Sequence, residues 1–371
     1  MKVIHPRHPK PRSFRGSYLE TACFLDAACP GFLNRLFYAS DLRRAAIFAA
    51  IAEIAVAGIT EVVARFHRHV PDACCRDLDA HAQVARALLA LRARGIVQAL
   101  YGDVPDGFLG LLARLGPDPL PARGQYRRAY SLFADPQHRA RAKLLRQTPG
   151  RITANHIEIA ARLDAVLLHQ RAFERVHAPE QIETLHAALA LVRTLVPQAD
   201  DDALHRSLDD LQPSQGDLRP WIEQWLRRMT RLPIALPIPA NDPDLRVLDG
   251  PGMVELGRRF RNCAGDRLGH IASGLRCYLE WTGDGGPAVI ELRCLSAGYL
   301  VVEDLRGPQN RDLDSAVSER IRAKLARFGV LGYAGAGHTV TGSALMGLLG
   351  VWHVESGEPD PFLADLLREA A

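Results

Sequence analysis

The sequence predicts an α+β protein: a large all-α N-terminal region followed by a small C-terminal domain with a three-stranded antiparallel meander packed by helices. Apolar residues recur at helical spacing almost throughout residues 17–232. After residue 253, three short segments are instead rich in β-branched, aromatic and aliphatic residues, as strands are. Helix-breaking prolines crowd the stretch between these regions. We therefore predict a basic flexible tail at 1–16, a helical domain at 17–232, a linker at 233–252 and an α+β domain at 253–371.

The helical region contains several amphipathic segments, of which residues 151–177 predict one long helix. The most apolar run, Ala45–Ile59, contains Glu53. It is shorter than the roughly 20 residues that a membrane-spanning helix needs, so it predicts a buried core helix and no membrane contact. Trp221 and Trp225 are four residues apart and share one helix face. We expect them in the core rather than on a stacking platform.

The first sixteen residues, "MKVIHPRHPKPRSFRG", are basic and contain no acidic residue. Their prolines exclude a helix, and no apolar segment typical of a secretory signal follows them. Two interpretations remain open: a solvated tail, or an arm that binds a polyanion such as nucleic acid. The net charge of the whole chain, +4, permits contact with nucleic acid but does not require it. The basic residues of the arm are Lys2, Arg7, Lys10, Arg12 and Arg15.

Cysteine usage indicates a reducing compartment. The chain has seven cysteines, an odd number, and no CxxC pair. This pattern argues against a secreted disulfide framework and against a zinc ribbon, so we expect a cytoplasmic protein. Cys263, Cys277, Cys294 and His270 also lack the familiar spacing of metal ligands, and no metal or particular cofactor is predicted.

The three predicted strands are "RCYLEW", "PAVIELRCL" and "YLVVEDLR". Asp284-Gly285 lies between the first two and is a strong hairpin signal. A helix is predicted over 313–331, and the Gly-rich stretch 333–354 predicts a further helix packed through small residues.

Alternation along these strands separates an apolar face from a polar one. The polar face gathers Glu280, Glu291, Arg293 and one of Glu303 or Asp304. This face is either solvated and crossed by ion pairs, or it holds a paired-carboxylate site. The sequence leaves both interpretations open.

The segment "RFRNCAGDRLGHIASG" predicts a short helix that begins near Cys263 or Gly265 and ends at Gly274. A thiol at a helix N-terminus is activated by the helix dipole, which makes Cys263 a candidate nucleophile. His270 lies seven residues on, about 10.5 Å along a regular helix, which is too far for a direct hydrogen bond. Any partner must come from elsewhere, for example Glu291. A purely structural Cys263 is the alternative.

Residues 250–330 resemble the PcfJ-like family, which is associated with conjugative plasmids and other bacterial mobile elements. The resemblance is carried by Asn262-Cys263, Gly274 after the short helix, "VIEL" with Glu291, and Gly307 and Asn310 after the last strand. Val289 stands where the family usually has Thr, and Asp304 where it usually has Gln. The resemblance implies a mobile-element context and not a particular reaction.

Two functional hypotheses follow. In the first, the chain is a PcfJ-like accessory protein that acts as a binding module, with nucleic acid contacted by the N-terminal arm and protein partners by the helical domain. In the second, it is an enzyme of unknown reaction with a polar site around Cys263, Glu291 and Asn310. The candidate catalytic residues are Cys263 and Glu291, and the candidate binding residues are Asn262, Asp304, Gly307, Asn310 and Arg311.

Overall fold

The α+β architecture is confirmed by a computed structural model of the chain. The model describes residues 10–70, 72, 77–212, 216–295 and 298–332. The predicted small-residue helix at 333–354 lies outside these residues. None of the helices formed by the described part of the chain has the length and apolarity needed to span a bilayer.

The chain divides into two compact units. Unit 1 comprises Met1–His186 and Leu204–Leu218, and unit 2 comprises Ala187–Ala203 and Arg219–Ala371. The chain passes from unit 1 to unit 2 after His186, returns to unit 1 at Leu204 and enters unit 2 again at Arg219. The division therefore does not follow the single boundary predicted at residues 233–252.

Helices account for all the regular structure described in residues 10–232. The helices are α1 (Ser17–Ala28), α2 (Phe32–Phe37), α3 (Asp41–Ala57), α4 (Ile59–His67), α5 (Ala80–Ala90), α6 (Ala93–Tyr101), α7 (Phe108–Ala113), α8 (Gln125–Ala134), α9 (Arg139–Gln147), α10 (Ala154–Arg162), α11 (Gln170–Phe173), α12 (Gln181–Leu195), α13 (Asp201–Ser207) and α14 (Arg219–Leu226). The single helix predicted over 151–177 is therefore α10 and α11 with a short 3-10 turn between them. Trp221 and Trp225 are buried, as predicted.

Helix α3 forms the centre of unit 1. Its residues from Arg44 to Glu53 are all buried, which confirms the predicted core helix for the first part of the apolar run. The end of the run differs, because Ala55 and Val56 are exposed and the helix ends at Ala57. The two charged residues within it are paired: Glu53 accepts hydrogen bonds from Arg65 and Arg127, and Arg44 donates to the carbonyl oxygens of Leu36 and Pro117. Burial of these charges is tolerated because each has hydrogen-bond partners.

The described part of the predicted N-terminal tail, residues 10–16, is packed rather than free. Phe14 is buried and makes edge-to-face contacts with Phe37 and Phe48. Arg12 hydrogen-bonds to Asp41 and to a backbone carbonyl. Arg12 is therefore engaged within unit 1.

Unit 2 is built on a four-stranded antiparallel sheet with strand order β1-β2-β3-β4. Its elements after residue 240 are β1 (Leu245–Val247), α15 (Gly250–Phe260), α16 (Leu268–Ala272), β2 (Arg276–Trp281), β3 (Ala288–Cys294), β4 (Leu300–Arg306) and α17 (Ser315–Arg327). The predicted meander is β2-β3-β4, and β1 is an additional edge strand that the sequence analysis did not predict. Helix α17 packs against the apolar face of the sheet through Val317, Ile321 and Leu325.

The proline-rich stretch is part of unit 2 rather than a spacer. Ile238 lies in the core beside the sheet, and Leu245 begins β1. Gly250 starts α15 and donates a hydrogen bond to the carbonyl oxygen of Met229. A Cβ at Gly250 would lie 2.6 Å from the carbonyl oxygen of Leu226, so this close approach requires glycine.

A β-bulge interrupts the alternation that the sequence predicts for β4. Asp304 pairs with Glu291 and Val302 with Leu292, which leaves Glu303 as the extra residue of β4. Leu305 consequently returns to the apolar face together with Val302. The bulge also places both Glu303 and Asp304 on the polar side, where alternation had allowed only one of them.

Candidate functional site

The polar face of the sheet carries a compact group of charged side chains. Arg276 on β2 and Arg293 on β3 lie directly opposite each other in the register. Like charges in such positions repel. Glu303 balances them, since its carboxylate accepts a hydrogen bond from Arg293 Nε at 3.0 Å and lies 3.4 Å from Arg276 Nε. Glu303 therefore supplies the negative charge that the two opposed arginines require.

Glu291 also lies in this group. Its Oε1 is 2.8 Å from Arg276 Nη1, and its side chain is only 19% exposed. Burial raises the pKa of Glu291 above its ordinary value, and the neighbouring Glu303 acts in the same direction, while Arg276 opposes the shift. The two carboxylates share Arg276, so the arrangement is an ion-pair network rather than a pair of free carboxylates.

Tyr278 is buried beside these charges. Burial raises the pKa of its hydroxyl, and the carboxylate of Glu291 raises it further. The hydroxyl lies near Arg276 and Glu291 but makes no well-directed hydrogen bond. Tyr278 therefore remains a neutral phenol over the physiological pH range.

Arg267 connects Cys263 to this group. Burial alone would lower the pKa of Arg267, but Tyr278, the thiol of Cys263 and Glu291 together raise it. The guanidinium group thus lies within reach of both candidate catalytic residues, Cys263 and Glu291. We use the term polar cluster for Arg267, Arg276, Tyr278, Glu291, Arg293 and Glu303.

The predicted helix N-terminus at Cys263 is not present. Helix α15 ends at Phe260, Arg261 adopts a left-handed conformation, and Cys263 precedes a three-residue 3-10 turn, Ala264–Asp266. Asn262 shapes this turn, because its side-chain oxygen accepts a hydrogen bond from the backbone N–H of Ala264. One short turn lacks the aligned peptides of a helix dipole, so the proposed activation of the exposed Cys263 thiol by a helix does not apply.

The remaining predicted binding residues lie at the end of β4 and in the turn after it. Asp304 pairs with Arg306 rather than with the polar cluster. Gly307 donates a hydrogen bond to the carbonyl oxygen of Arg311, which closes the turn, and Asn310 has a left-handed backbone conformation within it. This turn packs near α15. The structure thus brings Cys263 and Glu291 to one arginine and places Gly307, Asn310 and Arg311 in a turn of their own.

Glu280, which was predicted on the same polar face, belongs to a second ion group. It is almost fully buried and pairs with Arg246 at 3.0 Å and Arg259 at 2.8 Å. Glu255 on α15 joins the same two arginines. These contacts fasten α15 to β1 and β2. Among the described residues, no group of three or more His, Cys, Asp or Glu side chains is arranged to hold a metal ion.

Sequence reasoning missed a basic segment in unit 1. Residues 121–151 contain eight basic residues and one acidic residue, Asp135. The basic residues are Arg123, Arg127, Arg128, Arg139, Arg141, Lys143, Arg146 and Arg151. This local charge excess is visible in the sequence, although the nearly balanced composition of the whole chain conceals it.

Helix α9 displays part of this charge as a stripe. Arg139, Lys143 and Arg146 are spaced at i, i+4 and i+7, so they share one helix face, and all three are exposed. Ala142 and Leu145 are buried on the other side of the helix. We refer to the three exposed cations as the α9 stripe.

Within the described residues, Arg139 and Lys143 form no ion pair, whereas Arg146 pairs with the highly exposed Asp106. Beside Arg146 lies an open hollow of about 140 Å³, lined by Gly107, Gly110, Leu111, Arg114, Leu145 and Arg146. The stripe therefore presents positive charge to solvent beside this hollow. Within the described part of the chain, a carboxylate neutralises the charge of Arg146 but not that of Arg139 or Lys143.

No protein-family model, curated protein or solved structure matches the chain.

Proposed function

We propose that this chain is a nucleic-acid-binding accessory protein that contacts a phosphate backbone through the α9 stripe in unit 1 and carries a PcfJ-like module in unit 2. The observation that carries the proposal is the exposed, unpaired charge of Arg139 and Lys143, aligned with Arg146 on one helix face. Lysine and arginine side chains that neutralise phosphates supply most of the affinity in sequence-independent nucleic-acid binding.

The composition of the surrounding segment supports a polyanion as the partner. Several other arginines of residues 121–151 are held by internal contacts: Arg127 by Glu53, Arg128 by Glu158, and Arg141 by the carbonyl oxygen of Ala160. The α9 stripe lacks such restraint at two of its three positions. Because Arg139 and Lys143 are not paired with carboxylates of the described residues, their charges are available to an external anion.

The PcfJ-like part of the proposal rests on the residues that carry the resemblance. Asn262 and Cys263 form the turn after α15, Gly274 ends α16 with a positive φ, and Glu291 lies on β3. All of them belong to one compact unit. Because each carboxylate of the polar cluster has an arginine partner, this arrangement favours a binding module with a fixed shape over a general acid–base site.

Salt-dependent binding tests the proposal. Fluorescence anisotropy of the full chain would be measured with duplex DNA, single-stranded DNA and an RNA hairpin over a range of KCl concentrations. If three cations contact phosphates of a duplex, the logarithm of the affinity falls with the logarithm of salt concentration with a slope of about −2.7. The double substitution Arg139→Ala and Lys143→Ala should reduce the magnitude of this slope by about 1.8.

A matched control is the double substitution Arg86→Ala and Arg94→Ala. It removes the same charge from exposed positions on α5 and α6 of the same unit. We expect this control to retain the salt slope of the unaltered protein. Absence of binding to all three nucleic acids at low salt, or equal effects of the two double variants, would contradict the proposal.

A second candidate function is favoured by one observation: Arg267 hydrogen-bonds to Cys263 and interacts electrostatically with Glu291. In this alternative, Cys263 is the nucleophile of an enzyme, and Arg267 is its hydrogen-bond partner. Cys23 provides an internal reference because it is also free and exposed.

The enzyme alternative predicts that iodoacetamide alkylates Cys263 several-fold faster than Cys23 at neutral pH, as measured by peptide mass spectrometry. Arg267→Met should remove the difference. Equal rates for the two cysteines in the unaltered protein exclude an activated Cys263.

A further inference from the structure

Two cysteines of unit 2 lie in contact across neighbouring strands. Cys277 on β2 and Cys294 at the end of β3 have their sulfur atoms 3.6 Å apart, and both are free thiols. Cys277 is in register with Leu292, so Cys294 is its diagonal neighbour rather than the residue directly opposite. Both side chains lie on the apolar face of the sheet.

The two thiols differ in their surroundings. Cys277 is 1% exposed, whereas Cys294 is half-buried at the strand end. The hydrogen bond with Cys277 lowers the pKa of Cys294, and the same contact, together with burial, raises the pKa of Cys277. Cys294 is therefore the better nucleophile of the two and the one that solvent can reach.

We propose that Cys277 and Cys294 form a reversible dithiol–disulfide pair that is oxidised by thiol–disulfide exchange with a low-molecular-weight disulfide such as oxidised glutathione. In the first step, the Cys294 thiolate attacks one sulfur of oxidised glutathione, forms a mixed disulfide and releases one glutathione thiolate. In the second step, Cys277 loses its proton to the released thiolate and attacks the Cys294 sulfur. The second glutathione thiolate leaves and is protonated from solvent, so two protein thiols are oxidised as one disulfide is reduced.

The strand register indicates that this disulfide is easily reduced. Diagonal neighbours in an antiparallel pair have Cα atoms about 7–8 Å apart. Ordinary disulfides join Cα atoms about 4.4–6.8 Å apart. Because β2 and β3 are already hydrogen-bonded neighbours, the bond requires their ends to slide past each other or to deform locally at Cys277 and Cys294. Strained disulfides have more oxidising potentials than structural ones and behave as labile or regulatory bonds.

The shift would reach the polar cluster on the opposite face. Arg276 precedes Cys277, and Arg293 precedes Cys294, and these two arginines are already opposed across the strands. A slide that brings Cys294 towards Cys277 moves Arg293 out of direct opposition to Arg276 and changes the position of both arginines relative to Glu303, their shared carboxylate. Oxidation of the two cysteines on the apolar face is thereby coupled to the positions of Arg276 and Arg293 on the polar face.

Peptide mapping of the full chain tests the proposal. The protein would be equilibrated in defined mixtures of reduced and oxidised glutathione, quenched with acid, alkylated and digested with trypsin. Cleavage after Arg276, Arg293 and Arg306 places the two cysteines on separate peptides, 277–293 and 294–306. We expect these peptides to be joined in more than half of the protein at equal concentrations of the two glutathione forms, and to separate again in excess reduced glutathione.

Variants assign the order of the steps. Cys277→Ser, or Cys277→Ala if the first variant folds poorly, should accumulate glutathione on Cys294, whereas Cys294→Ser should leave Cys277 unmodified. Cys263→Ser is the control and should leave the linkage unchanged. The proposal is overturned if the unaltered protein forms no 277–294 linkage under conditions that glutathionylate the exposed Cys263, or if the linkage persists in excess reduced glutathione.

Discussion

At the scale of single residues, Glu303 determines the charge balance of the polar cluster. It is the shared carboxylate of Arg276 and Arg293, which face each other across β2 and β3. Glu303→Gln keeps the size of the side chain but removes its charge. Arg276 then retains Glu291 as a carboxylate partner. We expect unit 2 to lose about 2 kcal/mol of stability, because a partly buried arginine pair is left undercompensated. Urea unfolding of the unaltered protein and of the Glu303→Gln variant measures this loss.

Asp304→Asn is the matched control for Glu303, because it removes the same charge from the next residue of β4. Asp304 and its partner Arg306 are 45% and 40% exposed, and exposed ion pairs contribute little. We expect a change within about 0.5 kcal/mol. Equal losses at the two positions would contradict a special role of Glu303 in the polar cluster.

At the scale of elements, the β2–β3 hairpin depends on two adjacent glycines that serve different purposes. Gly285 and Gly286 both have positive φ, at +97° and +94°. A Cβ at Gly285 would also lie 2.4 Å from Val317 on α17, whereas a Cβ at Gly286 would meet nothing within 4 Å. Gly286→Ala therefore introduces backbone strain alone, and Gly285→Ala adds a collision with the helix that covers the sheet.

We expect Gly286→Ala to cost about 1 kcal/mol and Gly285→Ala about 2–3 kcal/mol. The difference between the two variants measures how tightly α17 packs against the hairpin, since the backbone contribution is common to both. Chemical denaturation of each variant provides the comparison. If the two substitutions cost the same, Val317 can move aside, and the packing of α17 at this point is looser than the structure indicates.

At the scale of the whole molecule, most of the fold could be predicted because helical and strand periodicity are local properties. The helical region and the β2-β3-β4 meander follow from that pattern. Strand β1 could not be predicted from that pattern, because three residues are too few to show alternation and prolines surround them. The bulge at Glu303 was also inaccessible, since it is defined by pairing with β3 and not by the sequence of β4.

The candidate site, too, could be predicted from the sequence only in part. Cys263 and Glu291 could be selected from their motifs, but the electrostatic interaction of both with Arg267 depends on how the turn after α15 is placed over the sheet. The predicted activation of Cys263 failed because the positive φ of Arg261 ends α15 and leaves only a short turn. The α9 stripe, in contrast, could have been found from local charge alone.

The stability of unit 2 should depend on pH through two carboxyl groups whose pKa values shift in opposite directions. Burial of Asp242 would raise its pKa, but hydrogen bonds from Lys324 and from the backbone N–H groups of Asp244 and Leu245 lower it below its ordinary value of 3.8. Its contribution is therefore complete above pH 3.8 and is lost as the pH falls through the lower folded value. Glu291, with a pKa raised above 4.5, contributes below pH 4.5 and loses that contribution as the pH rises through its folded value.

Two variants separate these contributions. The stability difference between the unaltered protein and Asp242→Asn should be largest near neutral pH and should close as the pH falls below 3.8, where both states of Asp242 become protonated. For Glu291→Gln, the unaltered protein should lose stability relative to the variant as the pH rises above 4.5. Hydrogen exchange of the β2 and β3 amides, corrected for intrinsic rates, reports the stability of unit 2 at each pH. Parallel pH profiles for the unaltered protein and both variants would contradict these assignments, because removing a group whose pKa changes on folding must change the slope.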